Sequence, residues 1–162
     1  MEPETVIRIA HPEDLPGIMQ LQARSYDVSL HEPVALFESM LNLSPATCFT
    51  ASYDEDLAGY LLTYPVPDRY KDFGKKLPVV TGGETTLYIH DLCVSPEQRD
   101  KGIARLLYDG MIESLGPIKF KMIVAVAVQD STGFWQKCGF EIGAPYTYPG
   151  GAAGYVITKV VL

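Results

Sequence analysis

A glycine and two basic side chains stand together in the segment RDKGIA, residues 99 to 104, directly before a run of apolar residues at helical spacing. The N-terminus of a helix presents backbone N–H groups without intrahelical partners and a partial positive charge, so it attracts anions. We expect Gly102 in the first turn of this helix, where the missing side chain lets a ligand approach the backbone. Arg99 and Lys101 would add two cationic groups. The segment is a candidate site for a phosphate or a pyrophosphate; the alternative is a charged loop whose glycine only helps the helix to start.

A histidine in the stretch before this segment is the side chain best suited to accept a proton. His90 lies in TTLYIHDLCV, residues 85 to 94, whose β-branched, aromatic and aliphatic residues indicate a strand. An imidazole has an unperturbed pKa of about 6.5, so it can take up a proton near neutral pH. Alternation places Tyr88 and His90 on one face of the strand, and a bulge would change the position of Asp91. The alternatives to His90 as a base are Asp91 in that role, or a histidine that only hydrogen-bonds within the sheet.

The elements that must position these residues follow from hydrophobic periodicity and turn signals. The first half of the chain contains a strand, two helices and a hairpin whose acidic turn is DED. A long irregular stretch follows the hairpin, and long loops in compact domains are usually functional or mobile. The predicted bounds are 5 to 10 for the strand, a first helix containing Ile18, Leu21 and Gln22, about 33 to 43 for the second helix, 47 to 53 and 57 to 66 for the hairpin, and 67 to 84 for the irregular stretch.

The second half of the chain alternates strands and helices. An amphipathic helix follows the RDKGIA segment and ends where a glycine precedes a proline. A continuous apolar run then indicates a strand buried on both faces, and a short helix and one or two further strands follow it. The order predicts an α/β (α+β) protein with helices around one sheet. The residues concerned are Ile103, Leu106, Leu107, Met111 and Leu115 in the helix, Gly116 and Pro117 at its end, 121 to 128 in the strand, Asp130 or Ser131 and Gly139 at the ends of the short helix, and 154 to 162 in the last strand.

Length and composition limit the classes of protein to consider. We expect the 162 residues to form a single domain spanning 1 to 162, and a hydrophobic content of 47% is ordinary for a soluble globular protein. A formal net charge of -7 argues against nucleic-acid binding. Apolar runs are too short to span a membrane and the N-terminus lacks signal-peptide features, so we expect a cytoplasmic protein with no membrane partner.

The three cysteines and the phosphate-binding motifs limit the chemistry further. Cys48, Cys93 and Cys138 lie far apart without metal-ligand spacing, which predicts reduced packing residues and no metal site. Neither the P-loop pattern nor GxGxxG occurs in the chain.

The segment VSPEQRDKGIARLLYD, residues 94 to 109, resembles motif A of the GNAT N-acetyltransferase superfamily. That motif has the pattern Gln/Arg-x-x-Gly-x-Gly/Ala, whose three marked positions are Arg99, Gly102 and Ala104 here. A strand and then GFWQKCGF, residues 133 to 140, follow at the right interval, and the latter is similar to motif B. Within the superfamily, YIHDLCV and LSPATCFTASYDEDLAGYLLTYP are similar to the aralkylamine N-acetyltransferase branch. The resemblance covers essentially the whole chain and implies a single mixed, mostly antiparallel central sheet flanked by helices, with splayed central strands.

The resemblance also implies a cofactor and the backbone that holds it. The superfamily cradles the pyrophosphate of acetyl-CoA on motif A and binds the pantetheine arm along the strand that precedes it. One N–H group of that strand would polarise the thioester carbonyl, as oxyanion donors do in acyl transfer. The implied cofactor-binding residues are Leu92, Cys93 and Val94 for the pantetheine arm, and Arg99, Asp100, Lys101, Gly102, Ile103 and Ala104 for the phosphates.

The expected chemistry on an acceptor amine begins with the loss of a proton, because such amines are mostly protonated at neutral pH. His90 would accept that proton directly or through water. The aralkylamine branch carries histidines at both corresponding positions, so Tyr88 is a departure that leaves one candidate base. We expect Tyr88, Asp91 and Trp135 to contact the substrate.

The general acid of the resembled family is missing from its usual place. Motif B usually supplies a tyrosine that protonates the departing thiolate, and Trp135 occupies that position. An indole N–H donates a hydrogen bond but cannot deliver a proton. Trp135 is then either a core or pocket-wall aromatic or a polar contact. Tyr148 is the expected replacement acid, with Tyr146 or water as alternatives.

These expectations define an acetyl-CoA-dependent N-acetyltransferase that acts on a primary amine of a small molecule by direct attack in a ternary complex. Two alternatives stay open: a non-catalytic module that binds acyl-CoA, and an acetyltransferase of a protein amine. The expected oligomeric state is a monomer or a homodimer.

Overall fold

The computed structural model describes residues 3–73, 77–116 and 120–161. The chain divides into two units, one made of Met1–Thr63 and Asp91–Gly116 and the other of Tyr64–His90 and Pro117–Leu162. Pro117, which the sequence places just after a helix, lies outside the described residues.

The helices and strands of the first unit follow the order that the hydrophobic pattern predicts. The first helix buries Ile18 and Leu21, and the second buries Phe37 and Met40, so each presents one apolar stripe to the interior of the unit. The elements are β1 (Thr5–Ile9), α1 (Leu15–Ser25), α2 (Val34–Leu43), β2 (Phe49–Tyr53), β3 (Asp56–Val66), β4 (Thr86–Val94) and α3 (Ile103–Leu115), with β3 and β4 each passing from one unit to the other.

The predicted hairpin closes on a two-residue turn. Tyr53 pairs with Asp56, and the two residues between them, Asp54 and Glu55, have φ values of 52° and 72°. Two consecutive left-handed residues match the twist of the flanking strands, which is why such turns are favoured in hairpins. The acidic turn therefore forms without a glycine.

The helix α3 differs from its predicted form in two respects. It begins at Ile103, so Gly102 is the N-cap residue before the helix and not a member of the first turn. Leu106 belongs to the predicted apolar set but is 44% exposed, while Ile103, Leu107, Tyr108 and Met111 form the buried face. Leu115 of the predicted set is half-buried, and Tyr108 joins the buried face, so a buried stripe at three- and four-residue spacing remains with a changed membership.

Two antiparallel strands close the second unit, where the sequence leaves open whether one strand or two follow the short helix. Its elements are the last part of β3, the first part of β4, β5 (Met122–Ala127), α4 (Thr132–Lys137), β6 (Glu141–Thr147) and β7 (Ala153–Val160). Ser131 is the N-cap of α4, and Gly139 follows the helix with φ of 93°, as a C-terminal glycine does.

The seven strands have the order β1-β2-β3-β4-β5-β7-β6 in one sheet. The pairs β1–β2, β2–β3, β5–β7 and β6–β7 are antiparallel and β4–β5 is parallel, so the sheet is mixed and mostly antiparallel, as predicted. Pairing of β4 with β5 ends at Ile89 and Ala125, although both strands continue. The pairing of these two central strands stops partway along them, as a splay of the strands requires. Within the described residues, no helix is both long enough and apolar enough to cross a membrane.

Candidate functional site

Two left-handed residues shape the segment between β4 and α3 in the first unit. Asp100 has φ of 65° and Gly102 has φ of 75°. Apart from its two chain neighbours, no described residue would have an atom within 4 Å of a Cβ on Gly102, so the backbone conformation, and not crowding, favours glycine there. Left-handed residues at alternate positions turn successive N–H groups to one side, a geometry that binds anions.

The start of α3 adds backbone donors next to this turn. Its first intrahelical hydrogen bond runs from the Leu106 N–H to the Gly102 carbonyl over 3.1 Å, so the amides of Ile103 and Ala104 precede the helical ladder. The helix has 13 residues, enough for its macrodipole to favour an anion at this end. Residues 99 to 104 thus combine backbone donors, a helix N-terminus and basic side chains, which fits a pyrophosphate.

Side chains of the first unit tether this segment on both sides. The Lys101 ammonium lies 4.3 Å from the ring centroid of Tyr53 and donates to the Gln98 side-chain oxygen over 2.7 Å. On the other side, Arg24 of α1 pairs with Glu97 over 3.2 Å. The Lys101, Arg24 and Glu97 side chains are exposed, so each of these three contacts contributes little to stability.

A carboxylate bound by two tyrosines lies at the first-unit end of β4. Asp91 accepts the hydroxyl of Tyr26 over 2.5 Å on one oxygen and the hydroxyl of Tyr60 over 2.6 Å on the other. The Tyr26 oxygen also lies 2.9 Å from the Leu92 carbonyl oxygen. Burial, together with the nearby Asp91 charge, raises the pKa of Tyr60 well above its usual value, so this phenol keeps its proton. Sequence reasoning missed both tyrosines because their partner is 65 and 31 residues away along the chain.

His90, the last residue of the second unit's part of β4, belongs to a cluster of aromatic rings. Its Nδ1 lies 3.4 Å from the Tyr64 hydroxyl, and its ring contacts that of Tyr88 with centroids 5.8 Å apart. The contact places Tyr88 and His90 on one face of β4, as alternation predicts. Tyr88 is only 1% exposed, whereas His90 is half-buried. We call this group the His90 cluster; its members are Tyr64, Tyr70, Phe73, Tyr88, His90, Tyr146 and Tyr148.

Both candidate tyrosines after the short helix join this cluster. Tyr146 in β6 donates its hydroxyl to the Phe73 carbonyl over 2.8 Å. Tyr148 follows β6 in a turn closed by a hydrogen bond from its own N–H to the Ala152 carbonyl over 2.7 Å, and its ring meets that of Tyr146 with centroids 5.0 Å apart. A continuous set of ring contacts therefore links Tyr148 to His90 through Tyr146, Phe73 and Tyr88.

Trp135 packs among aromatic residues of the second unit. It lies in α4, is 6% exposed, and meets the rings of Phe134 and Phe140 edge-on, with centroids 5.0 Å and 5.2 Å apart. This placement fits the core or pocket-wall aromatic of the sequence analysis; a contact with substrate stays a prediction.

The three cysteines are free thiols, and all are buried. Burial raises the pKa of Cys48 to about 11 and that of Cys93 to about 12. Below these values the sulfur stays a neutral thiol, which is a poor nucleophile.

We therefore expect iodoacetamide at pH 8 to alkylate the folded protein slowly at all three positions, and the denatured protein rapidly. At that pH roughly one Cys48 thiol in a thousand would be ionised. Mass spectrometry over a time course measures the modification. Rapid alkylation of Cys93 in the folded protein would contradict the buried, neutral thiol described here.

The family model of the Acetyltransferase (GNAT) family matches residues 15–140. The chain belongs to the GNAT acetyltransferase family. Among curated proteins, no significant match to the sequence was found.

Solved structures with the same fold are numerous. The loading GNATL domain of CurA from Lyngbya majuscula has a TM-score of 0.83 at 13% identity, over 97% of this chain and 98% of that one. Arabidopsis thaliana Naa50, in complex with the bisubstrate analogue CoA-Ac-MVNAL, has a TM-score of 0.77 at 16% identity, over 97% and 99%. The ribosomal-protein-alanine N-acetyltransferase from Brucella melitensis has a TM-score of 0.72 at 17% identity, over 96% and 99%. At such identities the likeness shows the fold alone.

Proposed function

We propose that this chain is an acetyl-CoA-dependent N-acetyltransferase that acetylates a primary amine of a small molecule by direct attack in a ternary complex. The observation that carries the proposal is the segment from residue 99 to 104, where left-handed Asp100 and Gly102 precede the N-terminus of a 13-residue helix in a GNAT family chain. We further propose that residues 1 to 162 form one catalytic domain, that it acts in the cytoplasm as a monomer or a homodimer, and that it uses no metal.

The described residues fit acetyl-CoA. Arg99, Lys101 and the amides from Gly102 to Ala104 would hold the pyrophosphate. The backbone of Leu92, Cys93 and Val94 would hold the pantetheine arm, and one of their N–H groups would polarise the carbonyl that the amine attacks. When bound, acetyl-CoA supplies the activated acetyl group as a thioester.

His90 would accept the proton that the amine must lose. The imidazole is half-buried, and the Tyr64 hydroxyl near its Nδ1 can fix which ring nitrogen carries a proton. His90 also lies two residues before Leu92 in β4. It is the first of three consecutive half-buried residues, which follow four buried residues at the start of the strand. Asp91 is a substrate-binding residue in this proposal and the next candidate base, and Tyr88 and Trp135 would line the acceptor side.

Tyr148 would return a proton to the CoA sulfur, and Tyr148→Phe tests this because it keeps the ring and removes the hydroxyl. We expect turnover to fall about tenfold, with stability and acetyl-CoA affinity preserved. The effect is smaller than the roughly hundredfold or more that is usual for acid catalysis, because a thiolate with a pKa near about 8.5 leaves tolerably well without help.

Tyr146→Phe is the matched control. It removes a hydroxyl that donates to the Phe73 carbonyl, so we expect a loss on the order of 1 kcal/mol in unfolding free energy with nearly normal turnover. Wild-type turnover in Tyr148→Phe would leave water as the proton source.

We propose an aralkylamine as the acceptor because of the sequence resemblance and because His90 shares its cluster with six aromatic side chains. Of these, Tyr64 and Tyr88 contact the His90 ring directly. A protein amine is the alternative, supported by two structural neighbours: the ribosomal-protein-alanine N-acetyltransferase from Brucella melitensis, and Arabidopsis thaliana Naa50 in complex with the bisubstrate analogue CoA-Ac-MVNAL. The remaining hypothesis is a non-catalytic module that binds acyl-CoA.

Acetyl-CoA mixed with a panel of aralkylamines, alkylamines and short peptides tests the proposal when free thiol release is followed. Buried cysteines would add little background to a thiol reagent. We expect release with a small amine. Release with peptides alone would transfer the assignment to protein amines, and acetyl-CoA binding without release in any mixture would favour the binding module.

A further inference from the structure

Tyr26 has no role in the proposed reaction, yet its hydroxyl reaches the strand that would hold the pantetheine arm. Tyr26 is the C-cap residue of α1, and its ring is half-buried. Its oxygen lies 2.5 Å from Asp91 Oδ1 and 2.9 Å from the Leu92 carbonyl oxygen. The phenolic proton therefore lies between two acceptors of consecutive residues in β4.

The orientation of neighbouring carbonyls shows which edge of β4 this hydroxyl faces. A Cβ built on Gly59 of β3 would lie 2.8 Å from the Cys93 carbonyl oxygen, so that carbonyl points to β3. In a strand, the N–H and C=O of one residue share an edge, and consecutive residues use opposite edges. Leu92 and Val94 therefore direct their backbone groups away from β3, and the Tyr26 hydroxyl meets the Leu92 carbonyl on that edge.

Asp91 and Tyr60 hold the Tyr26 phenol in place. The Asp91 carboxylate receives Tyr60 over 2.6 Å on its second oxygen, and Tyr60 is fully buried in β3. A charged acceptor makes such hydrogen bonds shorter and stronger than neutral ones. The rigid strand thus fixes the carboxylate, the carboxylate fixes the phenol, and the phenol restrains the Leu92 carbonyl.

We propose that Tyr26 is a positioning residue for the acyl-CoA segment of β4: its hydroxyl restrains the Leu92 carbonyl so that the N–H groups of Leu92 and Val94 stay directed along one edge toward the pantetheine arm. This inference rests on the acyl-CoA site proposed above. Without the hydroxyl, the Leu92 peptide loses a restraint and Asp91 loses one of its two phenol donors, so the edge binds pantetheine less well.

Calorimetry on Tyr26→Phe tests the role with two ligands. Acetyl-CoA contains the pantetheine arm, whereas 3′-phosphoadenosine 5′-diphosphate carries the phosphates without it. We expect the Kd of acetyl-CoA to rise about tenfold, the scale of one hydrogen bond, with the Kd of the nucleotide unchanged. A purely structural hydroxyl would affect both ligands or neither.

Two further variants make the result decisive. Tyr60→Phe removes the other hydroxyl on Asp91 but leaves the contact of Tyr26 with Leu92, so we expect lower thermal stability and less than about a threefold change in acetyl-CoA affinity. Asp91→Asn weakens the hydrogen bond that holds the Tyr26 phenol, and it should reproduce the selective loss of acetyl-CoA affinity if Tyr26→Phe does not fold.

Unchanged acetyl-CoA affinity in Tyr26→Phe, or an equal loss for both ligands, overturns the inference about Tyr26 but leaves the acyl-CoA site in place. Wild-type protein that binds neither ligand overturns the acyl-CoA site itself.

Discussion

His90→Ala should lower kcat by roughly a hundredfold or more while the affinity for acetyl-CoA stays close to that of the wild type. The expectation follows from the proposed role, since an amine that keeps its proton has no lone pair with which to attack the thioester. In this variant the backbone N–H groups of the first unit would still bind the phosphates and the pantetheine arm of acetyl-CoA. Steady-state kinetics with a saturating amine, together with calorimetry, measures both quantities.

His11→Ala is the matched control for this experiment. His11 is exposed in the first unit, outside the His90 cluster, so its loss should leave kcat unchanged. A pH profile adds a second readout, because loss of the base should make the remaining rate rise with pH as more free amine becomes available. Full activity of His90→Ala across the pH range would move the base to Asp91 or to a water chain.

Gly102→Val should reduce acetyl-CoA affinity by more than tenfold. The residue has φ of 75°, and a β-branched side chain in this left-handed region costs at least about 1–2 kcal/mol. A valine would either keep that strain or turn the backbone out of the conformation that aims the amides of the segment at the pyrophosphate. Both outcomes weaken phosphate binding, and calorimetry measures the change.

Gly116→Val separates this effect from general destabilisation. Gly116 caps the other end of α3 with φ of 62°, and apart from its two chain neighbours no described residue has an atom within 4 Å of where its Cβ would be, as at Gly102. Gly116 has ψ of -162°, a backbone region that is essentially restricted to glycine, so Gly116→Val should lose at least as much unfolding free energy as Gly102→Val. Only Gly102→Val should lose acetyl-CoA affinity. Equal affinity in both folded variants would remove residues 99 to 104 from the cofactor site.

The fold was predictable wherever an element has an apolar stripe or an apolar run. The stripes of α1 and α3 carry a clear helical period, and the largely buried strands β2 and β3 are apolar segments on either side of a turn. The structure has these elements within a few residues of their predicted bounds. β6 lacks that signal because most of its residues are exposed, it contains Gly143 and Pro145, and its register with β7 shifts between Ile142 and Pro145. A strand of this kind leaves no periodic pattern in the sequence.

The candidate site was predictable only in part, for a related reason. The segment RDKGIA is local, so its spacing indicated an anion site, but the positive φ of Asp100 gave no signal because glycine is the usual marker of such geometry. The tyrosines on Asp91 and the rings around His90 come from distant parts of the chain. Single phenols in strands and loops look like packing residues until the fold brings them together.

Product analysis in one reaction tests the central claim most directly. The protein is incubated with acetyl-CoA and the best acceptor of the amine panel, and liquid chromatography with mass spectrometry quantifies free CoA and acetylated amine over time. The account predicts that both products form in equal amounts, only when all components are present, and roughly a hundredfold more slowly with His90→Ala. Tight acetyl-CoA binding with no acetylated small amine or peptide above the uncatalysed background would contradict it.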